Sequence, residues 1–225
     1  MPNWCQNNLV ITGDPKMLDI IQDIKLDFNK ILPPPQDILD DTAPYCAKCK
    51  KPYTKKQMES KHDWQDRNGG ERCTKCDIRN NIGGRLGDST YDKDADIFKG
   101  LNTDEKKLAK LWIKKHGTAS WYEWNCNNWY TKWNASNVSM KREDDTTLLT
   151  FLATAWGPPY PIFEELAKKY NTVIMLEYDI ELGNGKGVMK IDKDGIKEIT
   201  SGDSENYLNL SSPVNKYEWD KNGTS

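Results

Sequence analysis

Two Cys-x-x-Cys pairs carry the clearest chemical signal in the sequence. Cys46 and Cys49 form the first pair, Cys73 and Cys76 form the second, and 23 residues separate the two pairs. A Cys-x-x-Cys turn directs two sulfur atoms to the same side, so two facing turns can complete a tetrahedron of thiolates around Zn²⁺. Four thiolates leave no open coordination position. The sequence therefore predicts one zinc ion with a structural role and no catalytic role.

Other chemistry remains open for these cysteines: a redox pair, an iron–sulfur cluster or free thiols. Disulfides are rare in a reducing compartment, and two clustered pairs favour a metal site over a redox pair. His62 lies between the pairs, and we expect it to be exposed or locally packed and not a ligand. Cys5 and Cys126 are isolated, and we expect both in the core, where a free cysteine behaves as a small apolar residue.

Residues 121–135 combine Trp and Asn at high density, with four Trp within 13 residues. Indole rings offer faces for stacking and amides offer donors and acceptors, which together suit a nucleotide or a base. Packing is the alternative, because Trp129 and Trp133 are four residues apart and would share one face of a helix. The candidates for binding a ligand or partner are Trp124, Asn127, Asn128, Trp129, Lys132, Trp133 and Asn134.

Residues 44–80 differ from the rest of the chain in charge. Their net charge is +5, against −7 elsewhere and −2 overall. Such a basic segment could bind nucleic acid, contact an acidic protein, or simply form a solvated surface. The candidates for a nucleic-acid contact are Lys50, Lys51, Lys55 and Lys56.

The composition excludes several classes of protein. A net charge of −2 argues against a uniformly basic nucleic-acid binder, and nine Trp with ten Tyr supply apolar surface for a core. No apolar run reaches the ~18–20 residues of a membrane span, and we expect no signal peptide and a location in the cytoplasm of a host cell. Only two His are present, with no phosphate-binding glycine loop and no nucleophile elbow. We therefore expect a binding protein and not an enzyme.

The order of predicted elements indicates an α+β fold. Alternating apolar residues predict strands and hairpins, and apolar residues at intervals of three and four predict helices. Residues 26–30 are expected to be extended, and Thr103 is expected to cap a helix without a capping box. In chain order the elements are a strand at 7–13, a helix from Pro15, an insert at 44–80, a loop at 81–100, a helix from 103 to 116, a hairpin at 138–152, a helix at 161–167, a strand at 172–178 and a hairpin around 192–195.

Without the insert and its following helix, this order is βαββαβ. We therefore predict a ferredoxin-like antiparallel sheet with helices on one face and an extra C-terminal hairpin. The predicted domains are a discontinuous ferredoxin-like domain at 1–43 and 81–202, a zinc ribbon or knuckle at 44–80, and a polar tail at 203–225.

Four segments carry a resemblance to a known family. The chain opens with Pro2-Asn3-Trp4-Cys5-Gln6-Asn7, and residues 26–33 read Leu-Asp-Phe-Asn-Lys-Ile-Leu-Pro. Residues 128–135 read Asn-Trp-Tyr-Thr-Lys-Trp-Asn-Ala, and residues 154–159 read Thr-Ala-Trp-Gly-Pro-Pro. These segments resemble the YubB-type ferredoxin-like family of phage and plasmid proteins, with Tyr130 where that family usually has Gly.

The resemblance implies a fold and an origin, but no agreed activity. We expect a phage- or mobile-element-encoded accessory protein that binds a host protein, for example one of a defence system, or a nucleotide-like ligand. The alternatives are a nucleic-acid-binding module that uses the lysine-rich insert and, with less support, a nucleotide-processing enzyme. The zinc module is expected to decorate the family domain and to extend its interaction surface.

Overall fold

A computed structural model describes residues 3–43, 45–52, 73–78, 82–86, 97–183 and 185–198. The chain forms two compact units, one of Met1–Pro33 with Cys126–Ser225 and one of Pro34–Asn125. Across the described residues, no helix has the length and apolar character needed to cross a membrane.

The first unit is built on a six-stranded antiparallel sheet in the order β2-β3-β1-β4-β5-β6. Its first four strands, with one helix after β1 and one after β3, have the βαββαβ connectivity of a ferredoxin-like fold. The predicted α+β ferredoxin-like class is confirmed, and β5 and β6 are the predicted extra hairpin. The strands are β1 Trp4–Thr12, β2 Ser136–Asp144, β3 Thr147–Ala155, β4 Val173–Ile180, β5 Gly185–Asp192 and β6 Gly195–Glu198.

The core of this unit lies between the sheet and helices α1 (Pro15–Ile24) and α6 (Tyr160–Tyr170). Asp14 caps α1 with its side chain and Pro15 begins the helix, as predicted. Leu9 and Ile11 of β1 pair with Leu176 and Ile174 of β4, and all four are almost fully buried. Alternate apolar residues thus place one face of the sheet against the helices.

One polar side chain is buried in β1. The Asn7 amide donates to Thr154 Oγ1 at 2.9 Å and to the Cys5 carbonyl at 3.1 Å, so its burial is compensated. Cys5 is fully buried, as expected, and burial raises the pKa of its thiol to about 12. A thiol in this state is a packing residue and is chemically inert.

The second unit contains α3 (Gln36–Thr42), α4 (Thr103–His116) and the first residues of α5 (Trp121–Trp129). Buried Asp41 accepts hydrogen bonds from the backbone N–H groups of Ile82, at 2.7 Å, and Gly83, at 2.8 Å. A Cβ atom on Gly83 would overlap the carbonyl group of Ala119. The hydrogen bonds to Asp41 and the need for glycine at position 83 therefore fix the backbone conformation at residues 82–83.

The structure corrects two local expectations. The segment expected to be extended forms a short helix, α2 (Phe28–Ile31), because the Asp27 carboxylate accepts from the Asn29 N–H at 3.0 Å and caps it. Helix α4 is capped by Asn102 and not by Thr103. Glu105 completes a capping box from the third helical position, because its carboxylate accepts the Asn102 N–H at 2.9 Å.

Candidate metal centre

The four cysteines of the Cys-x-x-Cys pairs meet in one cluster. The sulfur atoms of Cys46, Cys49, Cys73 and Cys76 all lie within 4.8 Å of one another, and Cys49 Sγ is 3.6 Å from Cys73 Sγ. A tetrahedral zinc site with Zn–S bonds of ~2.3 Å needs sulfur–sulfur distances of about 3.8 Å. The cluster therefore has the donor set and the dimensions to hold one metal ion.

The two pairs are held by equivalent backbone turns, here called the first and second knuckle (residues 46–51 and 73–78). In each knuckle the first cysteine accepts a hydrogen bond from the N–H four residues ahead and donates to the carbonyl five residues ahead. The same type of backbone turn therefore holds each pair of cysteines. The bonds are Lys50 N to Cys46 O at 2.9 Å, Cys46 N to Lys51 O at 2.9 Å, Asp77 N to Cys73 O at 2.8 Å and Cys73 N to Ile78 O at 2.9 Å.

Each knuckle has a left-handed residue directly after its second cysteine. These residues are Lys50, with φ of 58°, and Asp77, with φ of 53°. Glycine is the usual residue in this conformation because it has no Cβ. Here each side chain is tied down, since Lys50 Nζ bonds buried Asp40 and Asp77 accepts from the Asn102 amide. These two residues therefore connect the knuckles to their surroundings, which glycine could not do.

The protein environment affects the cysteine thiols unequally. Burial raises the pKa of Cys46, although backbone N–H groups of Cys49 and Lys48 oppose that effect. The backbone N–H of Lys51 is the main cause that lowers the pKa of Cys49 to about 7. A hydrogen bond with the neighbouring Cys49 raises the pKa of Cys76 to about 12. A dication would be needed to hold all four groups as thiolates, so binding would release protons.

The beginning of α4 lies against both knuckles. The Asn102 amide donates to the Asp77 carbonyl at 2.7 Å, and Lys48 Nζ lies 2.8 Å from the Asp104 carboxylate. Behind the sulfur atoms is an apolar cluster that includes residues of α4 and of the chain on either side of it. Its buried members are Cys46, Cys73, Ile78, Ile82, Leu101, Ala109, Trp112 and Ala119.

This cluster explains the extent of the second unit. The module predicted at 44–80 lies inside the larger unit Pro34–Asn125, because Cys46 and Cys73 pack against Ala109 and Trp112 of α4. The knuckles themselves contain few apolar residues, and α4 supplies the apolar side chains that pack against their cysteines. Helix α4 was predicted from its sequence pattern, but its association with the cysteines was not.

The described lysines of the first knuckle are engaged within their own unit. Lys50 bonds Asp40, and Lys51 donates to Thr74 Oγ1 of the second knuckle at 2.8 Å. These two nucleic-acid candidates therefore connect parts of the metal-binding unit. The other two, Lys55 and Lys56, lie outside the described residues, as does His62.

The Trp/Asn segment divides into packing residues and surface residues. Trp129 is buried against Phe28, with ring centroids 5.6 Å apart, and its indole N–H donates to the Leu32 carbonyl at 2.8 Å. Asn134 accepts the Phe28 N–H at 3.0 Å and donates to the Asp27 carboxylate at 2.8 Å, which ties it to the start of α2. Trp129 and Asn134 therefore make contacts that stabilise the first unit. Trp124 is buried in the second unit, Asn127 is exposed, and Asn128 and Cys126 are partly buried.

The expectation that Trp129 and Trp133 share a helical face is wrong. Helix α5 ends at Trp129, and Tyr130 follows with a left-handed backbone at φ of 60°. Trp133 is consequently 39% exposed, and Lys132 Nζ lies 4.5 Å from the centre of its ring. The change in direction at Tyr130 separates a buried tryptophan from an exposed one.

Trp133 belongs to a group of four aromatic residues, here called the aromatic surface: Trp4, Tyr130, Trp133 and Trp156. The rings of Trp4 and Trp133 are 6.3 Å apart. Thr131 Oγ1 donates to the Ala155 carbonyl at 2.8 Å, which places the neighbours Tyr130 and Trp156 at the same end of the sheet. Trp4, Tyr130 and Trp156 were not predicted from the sequence as site residues, although all three lie within the segments that carry the family resemblance.

A groove begins beside Trp4. The Trp4 N–H donates to Glu181 Oε2 at 2.9 Å, and Glu181 is part of the groove wall. The groove has a volume of about 440 Å³ and contains side chains of both charges. It is lined by Gln6, Asp179, Ile180, Glu181, Leu182, Gly185 and Lys186.

The match to a protein family supports the ferredoxin-like fold of the first unit. Residues 129–222 match a family described as the ferredoxin-like domain in Api92-like protein. A crystal structure of a protein api92 from Yersinia pseudotuberculosis resembles the chain with a TM-score of 0.45 and 12% identity, over 90% of this chain and 99% of that one. No curated protein matches the chain significantly. The matched residues begin at Trp129, so they include Tyr130, Trp133 and Trp156 and exclude all four clustered cysteines.

Proposed function

We propose that the protein is a binding protein that contacts a protein partner through the aromatic surface. The observation that carries this proposal is the conformation of Tyr130 and Trp156. Both have left-handed backbones, at φ of 60° and 76°, and their side chains are 55% and 38% exposed. A non-glycine residue in this conformation costs about 1–2 kcal/mol, and strain of this kind is found at functional sites. Exposed Trp and Tyr are also typical anchors of protein interfaces.

The contacts of the Trp/Asn segment favour a protein over a nucleotide-like ligand. A nucleotide site would need the segment's amides and rings to be available together. Asn134 is used to cap α2, and Trp129 is buried with its indole N–H bonded to Leu32. The exposed rings of Tyr130, Trp133 and Trp156 form an apolar surface next to a groove that contains side chains of both charges. This arrangement is more typical of a protein contact.

The metal of the cysteine cluster is proposed to be zinc in a structural role. Four cysteine sulfurs at these distances suit tetrahedral Zn²⁺, and a closed set of ligands has no position for a substrate. The metal would hold the two knuckles together and support α4. We assign no catalytic residue, and a nucleotide-processing activity is the weaker alternative.

The expected partner follows from the family resemblance. Proteins of the YubB-type family come from phages and plasmids, so this chain is proposed to act in the cytoplasm of a host cell on a host protein. Interference with a host factor or defence system would be the role of such an accessory protein. The zinc-containing unit would extend the surface available for contact.

Native mass spectrometry of the protein purified from its natural host tests the proposal. The wild type is compared with Tyr130→Gly, with Tyr130→Gly combined with Trp133→Ala, and with Ile20→Ala as a matched control. Ile20 is 40% exposed on α1 of the same unit, so its change removes exposed apolar surface elsewhere. We expect one host protein with the wild type and the control, and at least a tenfold loss with the double variant, equivalent to about 1.4 kcal/mol or more.

Two results would contradict the proposal. If all variants retain the same partner equally, the aromatic surface is not the contact. If the released species is a nucleotide, the nucleotide-like ligand replaces the protein partner. Metal analysis of the same samples should give about one zinc per chain, as one tetrahedral site requires.

A further inference from the structure

Helix α4 carries lysines along its exposed face. Lys107, Lys110 and Lys114 recur at intervals of three and four residues, so they lie on one face of the helix. The opposite face contains buried Ala109 and Trp112. We call Lys107, Lys110 and Lys114 the α4 lysine stripe. The buried face of α4 stabilises the helix without these lysines, so their position along one exposed face is not needed for packing.

The described part of the chain compensates the charges of the stripe only weakly. Lys107 lies 3.7 Å from Asp104, a carboxylate that is already bonded more closely to a lysine of the first knuckle. Lys110 Nζ lies over the Phe98 ring, 5.3 Å from its centre, a contact that positions the ammonium group without neutralising it. Among the residues that the structure describes, no carboxylate forms an ion pair with Lys110 or Lys114.

Several described carboxylates of the same unit are buried or form ion pairs. Asp40, Asp41 and Glu105 are buried, and Asp37 accepts from Lys115 Nζ at 2.7 Å. These four carboxylates therefore do not neutralise the stripe. A surface with fixed positive charge attracts a polyanion.

We propose that the α4 lysine stripe binds the phosphate backbone of double-stranded nucleic acid. The stripe runs for about 10 Å, given a rise of 1.5 Å per residue in an α-helix. Duplex DNA carries one negative charge per ~1.7 Å of its axis, so several phosphates fall within this length. Lysine is depleted in protein–protein interfaces and is a good point charge for phosphate. An acidic protein is thus a poorer fit.

The contact is independent of base sequence. The stripe contains no Arg, Asn or Gln side chain that could read the edge of a base, so it supplies affinity and position only. This site also differs from the knuckle lysines, since Lys50 and Lys51 are bonded within the metal-binding unit. It goes beyond the proposed protein contact of the aromatic surface and does not depend on it.

Fluorescence anisotropy with the 225-residue chain, saturated with zinc, and a labelled duplex DNA tests the inference. The variant changes Lys107, Lys110 and Lys114 to Gln together. The matched control changes Lys16, Lys168 and Lys193, which are exposed lysines of the other unit, to Gln. Both variants alter the net charge equally, and far-UV circular dichroism with metal analysis verifies that each is folded. Binding is measured over a series of salt concentrations, with polyglutamate as a competitor.

We expect the wild type and the control to bind with a steep salt dependence. The stripe variant should lose at least tenfold in affinity, and its slope of log Kd against log salt should fall by about 2.7, or about 0.9 for each lysine. The inference is overturned if the wild type does not bind the duplex at low salt, or if the control loses as much affinity as the stripe variant. It is also overturned if polyglutamate displaces the duplex at equal charge, because the stripe would then select acidic protein.

Discussion

The Asn102 side chain donates a hydrogen bond from its amide nitrogen to the backbone carbonyl of Asp77 at 2.7 Å. The amide oxygen of the same side chain accepts the Glu105 N–H at 2.9 Å and caps helix α4. One side chain thus joins the second knuckle to the first turn of the helix. The start of α4 is therefore coupled to the geometry of the cysteine cluster.

Removal of the metal should unfold more than the knuckles. We expect Cys46→Ser, or a strong chelator, to release the ion and to reduce the helical signal of α4, because Cys46 belongs to the apolar cluster behind the site. Metal analysis and far-UV circular dichroism measure both effects. Cys126→Ser is the control and should retain about one zinc, the number that a single tetrathiolate site binds. Unchanged metal content in Cys46→Ser would refute the assignment.

Asp41→Asn should destabilise the second unit. The carboxylate accepts two backbone N–H groups while buried, and an amide offers one oxygen and sets an N–H₂ group against the other donor. Hydrogen bonds to charged groups contribute about 1.5–3 kcal/mol, so we expect a loss of about 2–3 kcal/mol in the free energy of unfolding. Urea denaturation measures it. Asp145→Asn, at an exposed turn, should change little.

Asp40 should make the second unit sensitive to acid. Burial opposes ionisation of this carboxyl, but hydrogen bonds from Lys50, Tyr45 and Gln36 outweigh burial and lower its pKa. A depressed pKa in the folded state gives stability that is present above the unfolded pKa of about 4 and is lost as the pH falls through the folded value.

The comparison of wild type with Asp40→Asn isolates this effect from metal release. Urea unfolding from about pH 3 to pH 7 should show a stability difference that is largest near neutrality and shrinks as the acid limit is approached. A difference that does not vary with pH would mean that the charge of Asp40 contributes nothing to folding.

Tyr130→Gly should not destabilise the first unit. Glycine removes the cost of about 1–2 kcal/mol for a left-handed residue but adds about 0.5–1 kcal/mol of backbone entropy in the unfolded chain. The net change in the free energy of unfolding should lie between zero and a gain of about 1.5 kcal/mol. Tyr130→Ala keeps the strain and loses the ring, so it should be less stable than the glycine variant. Thermal denaturation of the two variants decides the order.

The sequence predicted the ferredoxin-like unit well because its signals are local. Alternation in β1 and β3, the Asp14 cap and the Pro15 start each depend on neighbouring residues, and the sheet confirms them. The short helix α2 was missed because its cap, Asp27, competes with an apolar alternation that also suits a strand.

The candidate sites were harder to predict because they depend on distant contacts. The spacing of Cys46 and Cys49 identified a metal site, but nothing local shows that Ala109 and Trp112 of α4 pack behind it. Trp129 and Trp133 looked equivalent in a helical pattern. Their different burial follows from the left-handed residue Tyr130, and its conformation is set by contacts such as the Thr131 bond to the Ala155 carbonyl.

The 3.6 Å separation of the Cys49 and Cys73 sulfur atoms brings together the two ends of residues 50–72. Joining the ends of a chain segment costs only about 0.6 kcal/mol more for each doubling of its length. The backbone hydrogen bonds of each knuckle lie within residues 46–51 or 73–78 and do not depend on the number of residues between the knuckles. A peptide tag inserted between the two knuckles should therefore leave the metal centre and α4 intact.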